Sequence, residues 1–255
     1  MKYVEYGAQH SQVILLLHGG GLSWWNFREE AELLGQQYHV VLPILDGHTG
    51  SDAPFTSMED NAREIIAWVD GHCGGQVLLM GGLSLGGQVL VEILSQRPEI
   101  CQHAILESTL VFPMRLTHAL VKPSYTLCYP LIRQRWFARL QFRSLHIQPE
   151  LFEEYYRDTA GLTRPDMIAF LEANSSYGIR SQLSKTSAKV LITAGSREQK
   201  CILESAEILG KAIPESRVEI LPGLRHGELS LNYPDRYVRL LRCWMEKGAT
   251  QNETL

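Results

Sequence analysis

A serine hydroxyl becomes a nucleophile when a neighbouring imidazole takes its proton and a carboxylate steadies that imidazole. Three stretches of this chain carry the residue types for that chemistry. The first is Gly82-Leu83-Ser84-Leu85-Gly86-Gly87, a G-x-S-x-G pattern. The apolar run Val77-Leu78-Leu79-Met80 precedes it, and Gln88 to Ser95, apolar at helical spacing, follows it until Arg97-Pro98. Strand, sharp turn and helix are the setting in which such a serine is held strained, with its hydroxyl above the sheet edge. Glycines two residues either side of Ser84 remove β-carbons that would collide across the bend, and Gly87 lets the helix approach the next strand. The second stretch is Leu221-Pro222-Gly223-Leu224-Arg225-His226. Of nine histidines, His226 is the one in a Pro/Gly-rich loop straight after a late apolar strand, so its ring can lie beside Ser84.

The third element is a carboxylate. In a strand–turn–helix elbow of this kind the chain order is serine, acid, histidine. No aspartate occurs between Asp166 and Asp235, and Asp158 and Asp166 fall in a segment that does not continue the strand–helix pattern. Glu107, Glu198 and Glu204 remain near strand ends. Glu228, two residues past His226, is expected to hydrogen-bond its own loop.

A developing oxyanion needs N–H donors. The helix beginning at Leu85 offers its first N–H and a partial positive charge beside Ser84. After the apolar run Val13-Ile14-Leu15-Leu16-Leu17 comes His18-Gly19-Gly20-Gly21, whose glycines present bare N–H groups. The Gly20 N–H is expected to form one half of the oxyanion hole and the Leu85 N–H the other. His18, at a strand end before glycine, is expected to buttress the loop rather than act as acid or base. Asn26 reads as the cap of a following helix. Trp24 and Trp25 stand beside the loop, either lining an acyl pocket or packing beneath the inserted segment.

These residues need a sheet to hold them. Residues 2–6 alternate as a short edge strand, and continuous apolar runs at 13–17 and 39–44 suit strands covered on both faces. Further strands are expected at 76–81, 103–107, 189–194 and 217–221. Helices are expected from the Ser57/Asp60 cap to Gly71, after Ser84, over 204–212 and from Pro234 onward. The fold class is therefore α/β, a mainly parallel sheet with helices on both faces. Residues 108–186, with five prolines among short helical stretches, read as an inserted helical cap. The core comprises 1–107 and 187–255. The tail from Lys247 is expected to fray.

Composition bounds the partners. The chain has 255 residues, 45% of them hydrophobic, and a net charge of −4, which exerts no global pull toward nucleic acid. Its five cysteines are scattered without C-x-x-C, as in a reducing compartment. No basic start with an apolar run follows Met1, and the longest early apolar run is too short to span a bilayer, so a cytoplasmic location is expected. There is no H-E-x-x-H, P-loop, Cys/His ligand spacing or G-x-G-x-x-G after a strand. Neither metal nor cofactor is expected.

Over nearly its whole length the chain resembles the α/β-hydrolase superfamily. His18-Gly19-Gly20 is similar to the oxyanion loop, and Ser84 to the nucleophile. Leu221 to His226 is similar to the family's strand, Pro-Gly and catalytic histidine. Leu45-Asp46-Gly47-His48-Thr49-Gly50-Ser51 is similar to the Asp-x-x-Gly-His-Gly-x-Ser loop, with compressed spacing and Thr49 in place of the usual glycine. The resemblance implies that Glu198, in Ala194-Gly195-Ser196-Arg197-Glu198, stands where the usual aspartate does. Glu107 is the rival, since some relatives place the acid there. A serine in the elbow argues against relatives that open epoxides or displace halide.

The expected function is a serine hydrolase cleaving a small-molecule carboxylic ester or thioester through an acyl-enzyme. Two alternatives stand beside it. One is a lyase or carbon–carbon hydrolase acting on an anionic metabolite, like the menaquinone-pathway synthase or dienone hydrolases of this fold; the other is a ligand-binding receptor with negligible turnover. Between Glu107 and Glu150 there is no acidic residue but six cations: Arg115, Lys122, Arg133, Arg135, Arg139 and Arg143. On a helix over about 131–145, Arg135, Arg139 and Arg143 make one stripe. The bland expectation is a solvated or internally paired face. The sharper one has Arg135 and Arg139, with Trp24, binding an anionic substrate. Contact of the cap with a membrane surface fits the charge but is not the expectation, and the oligomeric state is left open.

Overall fold

The computed structural model describes residues 1–247. The fraying expected of the tail concerns 248–255, which lie outside the described residues; Lys247 ends the last helix. The strands are β1 (Lys2–Tyr6), β2 (Val13–Leu17), β3 (His39–Ile44), β4 (Val77–Leu83), β5 (Cys101–Glu107), β6 (Lys189–Gly195) and β7 (Ser216–Leu221). They form one sheet in the order β1-β3-β2-β4-β5-β6-β7. β1 pairs antiparallel with β3, and every other pair is parallel.

Successive side chains of a strand point to opposite faces, so a strand covered on both sides reads as a continuous apolar run. β2 shows this directly. Val13, Leu15 and Leu17 enter one hydrophobic core, while Ile14 and Leu16 enter the other. Helices α1 (Arg28–Leu34) and α10 (Pro234–Lys247) cover the second face. Helices α2 (Met58–Cys73), α3 (Leu85–Gln96) and α8 (Lys200–Ala212) cover the first. The edge strands β1 and β7 alternate between exposed and less exposed residues instead.

Between β5 and β6 the chain leaves the sheet. It forms α4 (Arg115–Ile132), α5 (Arg135–Leu145), α6 (Phe152–Gly161) and α7 (Arg164–Ser176), with α4 packed on α7 and α5 on α6. A short α9 (Glu228–Asn232) follows β7. Among the described residues no helix is long and apolar enough to cross a membrane.

Four local expectations are corrected. The helix after Ser57 runs through Gly71 to Cys73, because the left-handed C-cap is supplied by Gly74, at φ 64°. α8 begins at Lys200, ahead of Glu204. The helix expected over 131–145 is two helices, since Gln134 adopts an extended ψ of 123° between α4 and α5. Asn26 does not cap α1: it lies in a 3-10 turn, and its Oδ1 accepts from the Gly19 N–H at 3.1 Å.

Candidate active site

The elbow lies where β4 meets α3. Ser84 has φ 52° and ψ −108°, a backbone that an L-residue holds only at a cost of about 1–3 kcal/mol. Its surroundings impose it. The Ser84 N–H donates to the Glu107 carbonyl at 2.9 Å, and the Gln88 N–H donates back to the Ser84 carbonyl at 3.0 Å. The flanking glycines are steric necessities for different reasons. A β-carbon on Gly82 would lie 2.5 Å from the Gly86 carbonyl, across the bend. One on Gly86 would meet the Leu17 carbonyl of the neighbouring strand at 2.2 Å, and one on Gly87 the Thr109 hydroxyl at 2.0 Å.

His226 comes from the loop between β7 and α9. Its Nε2 lies 3.0 Å from the Ser84 Oγ and its Nδ1 lies 2.8 Å from Oε2 of Glu198. The imidazole is 48% exposed, whereas the Glu198 side chain is completely buried. Glu198 follows β6 in a loop pinned to the β7 end: the Ser196 N–H donates to the Leu221 carbonyl and the Arg197 N–H to the Leu224 carbonyl, both at 2.9 Å. The second carboxylate oxygen, Oε1, accepts from the Gly195 N–H at 3.0 Å and from the Ser108 hydroxyl at 2.6 Å. Three hydrogen bonds therefore compensate this buried carboxylate.

Ser108 is the residue that sequence reasoning missed. It sits one position beyond β5 at φ 53°, bonding Glu198 on one side and accepting from the Gly227 N–H at 3.0 Å on the other. Only its place at a strand end beside Glu107 hinted at it.

The other carboxylates go elsewhere. Glu107 is buried behind the elbow, where Oε1 accepts from the Ser230 N–H at 3.2 Å and Oε2 has no partner among the described residues. Burial, opposed by the Ser230 hydrogen bonds, pushes its carboxyl up to about 7. Glu204 pairs with Lys200 at 3.0 Å on α8, and Glu228 accepts from the Arg225 N–H at 2.8 Å within its own loop.

On the far side of Ser84, the glycine loop is held from both ends. The Gly19 N–H donates to Asn26, and the Gly21 N–H donates to Nε2 of His48 at 3.1 Å. Among the described residues no acceptor meets the Gly20 N–H between them. A β-carbon on Gly20 would lie 3.4 Å from that of Leu85, which puts the loop against the first residue of α3. His18 is fully buried: its Nε2 accepts from the Leu45 N–H at 3.1 Å, which leaves Nδ1 to donate to the Gly19 carbonyl at 2.9 Å. Burial holds its imidazole down to about 3 and that of His48 to about 4, so both are neutral buttresses. Thr49, the departure from the family loop, donates to the Asp158 carbonyl at 2.8 Å and ties the loop to α6.

Above Ser84, α4–α7 roof a cavity of about 300 Å³. Ser84, His226 and Gly20 lie at its floor, and Ile132, Leu145, Leu162, Met167 and Phe170 are among its walls. Among the described residues no arginine or lysine lines it. The three residues expected to bind substrate stand outside that lining. Trp24 lies under the Arg28 guanidinium, 5.4 Å from ring centre to charge. Arg135 pairs with Glu153 and stacks over Phe152 and Tyr156, and Arg139 stacks over Phe152. Arg135 and Arg139 face α6, whose acid and aromatic rings draw these two arginines away from the cavity. Trp25 is buried, donating its Nε1–H to Asp158 at 2.6 Å. Among the described residues one carboxylate grouping has metal-site dimensions, Asp46, Asp52 and Glu64, away from the cavity; the Met1 ammonium meets Glu64 there at 2.6 Å.

A family model described as the alpha/beta hydrolase family matches residues 14–240, and the chain belongs to that family. It is 26% identical over 238 residues to the pimeloyl-[acyl-carrier protein] methyl ester esterase of Nitrosomonas europaea, covering 88% of this chain and 92% of that protein. A match to an AB hydrolase superfamily protein of Gibberella zeae has 29% identity over 136 residues, 51% of this chain and 45% of that one. The chain thus spans less than half the length of this second relative. Among solved structures, a thermophilic esterase of Thermogutta terrifontis superposes with a TM-score of 0.79 at 19% identity, covering 96% of this chain and 93% of that one. At that identity the likeness is one of fold.

Proposed function

We propose that the protein is a serine hydrolase that cleaves a carboxylic ester or thioester through an acyl-enzyme. The observation that carries this reading is the continuous line from the Ser84 Oγ through the His226 imidazole to the Glu198 carboxylate, at 3.0 and 2.8 Å. In the proposed reaction His226 Nε2 takes the proton from Ser84 as its oxygen attacks the carbonyl carbon. Glu198 fixes the tautomer, with the proton on Nδ1, and stabilises the imidazolium that forms. The tetrahedral oxyanion accepts from the Gly20 and Leu85 N–H groups, each contributing roughly 2.7–4 kcal/mol by comparison with other such sites. His226 then returns its proton to the leaving alcohol or thiol, and water repeats the sequence to release the acid.

The apolar cavity suits an uncharged acyl or alcohol portion, since no arginine or lysine among the described residues lines it. The similarity to an esterase along most of both chains supports the reading; that protein's substrate is its own. The test is hydrolysis of p-nitrophenyl esters and acyl thioesters of increasing chain length by the purified protein. Turnover with an initial burst of one equivalent, strongest for medium apolar chains, is the expected result. No turnover of any ester or thioester, with cleavage of a vinylogous diketone instead, would move the protein to carbon–carbon bond hydrolysis.

A further inference from the structure

Helices α4 and α5 line the cavity with one face and turn a second apolar face outward. At 100° per residue, Leu116, Leu120, Leu127 and Leu131 of α4 fall within an arc of about 60°, centred roughly 110–130° round the helix from the buried Val121 and Ile132. Leu116 is 75% exposed and Leu127 is 80% exposed. On α5, Trp136 and Leu140 are 62% and 61% exposed, and with Arg143 they follow i, i+4, i+7 spacing on one stripe. Scattered exposed leucines are ordinary, but contiguous rows on two adjoining helices mark an interaction surface.

Charge selects the partner. The segment 108–149 carries +6 in a chain whose net charge is −4. Arg135 has Glu153, but among the described residues no acidic side chain pairs with Arg115, Lys122, Arg133, Arg139 or Arg143. A second copy docked symmetrically would press one such cationic face on another, which disfavours self-association. An acidic protein partner would match the charge, yet the face is a row of exposed leucines, a residue under-represented where proteins anchor one another. Exposed leucines and a tryptophan, with cations on the same two consecutive helices, are the composition of a bilayer-surface element.

We infer that the outer face of α4 and α5 docks on an anionic lipid surface, with the leucines and Trp136 entering the acyl boundary and the flanking cations meeting headgroups. Docked so, the helices that roof the cavity lie at the membrane, where an apolar ester would enter. The surface inference is measured as binding and stands whether or not the proposed chemistry holds.

The experiment is co-sedimentation of the full chain with vesicles of phosphatidylcholine alone and of phosphatidylcholine with phosphatidylglycerol, at low and high salt. Wild type should bind the anionic vesicles and release at high salt. Arg133→Gln/Arg143→Gln should weaken partitioning roughly fivefold per cation removed. Leu120→Ser/Leu127→Ser, both at exposed sites, should weaken it more than tenfold with an unchanged melting curve. Absence of anionic-vesicle binding, or equal binding by wild type and both variants, would overturn the inference. So would a dimer that the leucine variant dissociates, or capture of a soluble acidic protein in place of vesicles.

Discussion

Ser108 donates its hydroxyl to Oε1 of Glu198 at 2.6 Å and accepts from the N–H of Gly227, the residue after His226, at 3.0 Å. One side chain thus spans the carboxylate and the histidine's loop. Ser108→Ala removes a hydrogen bond to a buried charge, worth about 1.5–3 kcal/mol. The expected outcome is a fall in kcat of about ten- to a hundredfold, KM nearly unchanged, and a shifted acidic limb of the pH–rate profile. An unchanged kcat would show that Gly195 and His226 hold the carboxylate without Ser108.

The two glutamates separate by substitution. Glu198→Gln should lower kcat by ~10³–10⁴-fold with a modest change in KM, because the carboxylate matters most when the imidazolium forms. Glu107→Gln should leave kcat within a few-fold. Its signature lies in stability. A carboxyl raised to about 7 by burial favours the protonated folded state, and that contribution is lost as pH rises from about 4.5 through 7. Denaturant melts should therefore show Glu107→Gln gaining on wild type above pH 7 and not at pH 4.

Ser84→Ala and His226→Ala should each remove nearly all turnover, on the order of 10⁴-fold or more, while the double variant is little worse than either. Members of a unit that moves one proton do not contribute independently. Additive losses in a kinetic double-mutant cycle would separate the two residues.

Two buried histidines beside the triad should contribute less stability as pH falls, the opposite sign to Glu107. His18 and His48, held to about 3 and about 4 chiefly by burial, favour the folded state only while neutral. Their contribution is full above the ordinary value of about 6.5 and is lost as pH falls toward 4 and then 3. The stability difference between wild type and His48→Gln should therefore shrink from pH 7 to pH 5, read from melting temperatures across that range.

Sequence reasoning reached the sheet because its strands are buried on both faces, and such strands announce themselves as uninterrupted apolar runs: Val13 to Leu17 divides its side chains between two cores. The elbow was legible because its glycines answer steric demands made within a few residues and by the adjoining strand. Glu198 was harder, since Glu107 ends the neighbouring strand, level with Thr193 of β6; what separates them is the loop, pinned to the β7 end, that carries the Glu198 carboxylate to His226. Ser108 has no motif, as its partners lie 90 and 119 positions away. The partners of Arg135 and Arg139 were not legible because the acid and rings that engage them, Glu153, Phe152 and Tyr156, lie on the next helix.

The most direct test of the central claim is labelling with a fluorophosphonate probe, followed by peptide mapping of the adduct. A serine activated by His226 and Glu198 should take up one equivalent of probe, mapped to Ser84, with labelling abolished by Ser84→Ala and strongly slowed by His226→Ala and Glu198→Gln. A folded wild-type protein that takes up no probe, or an adduct mapped to another residue and retained in Ser84→Ala, would contradict the account.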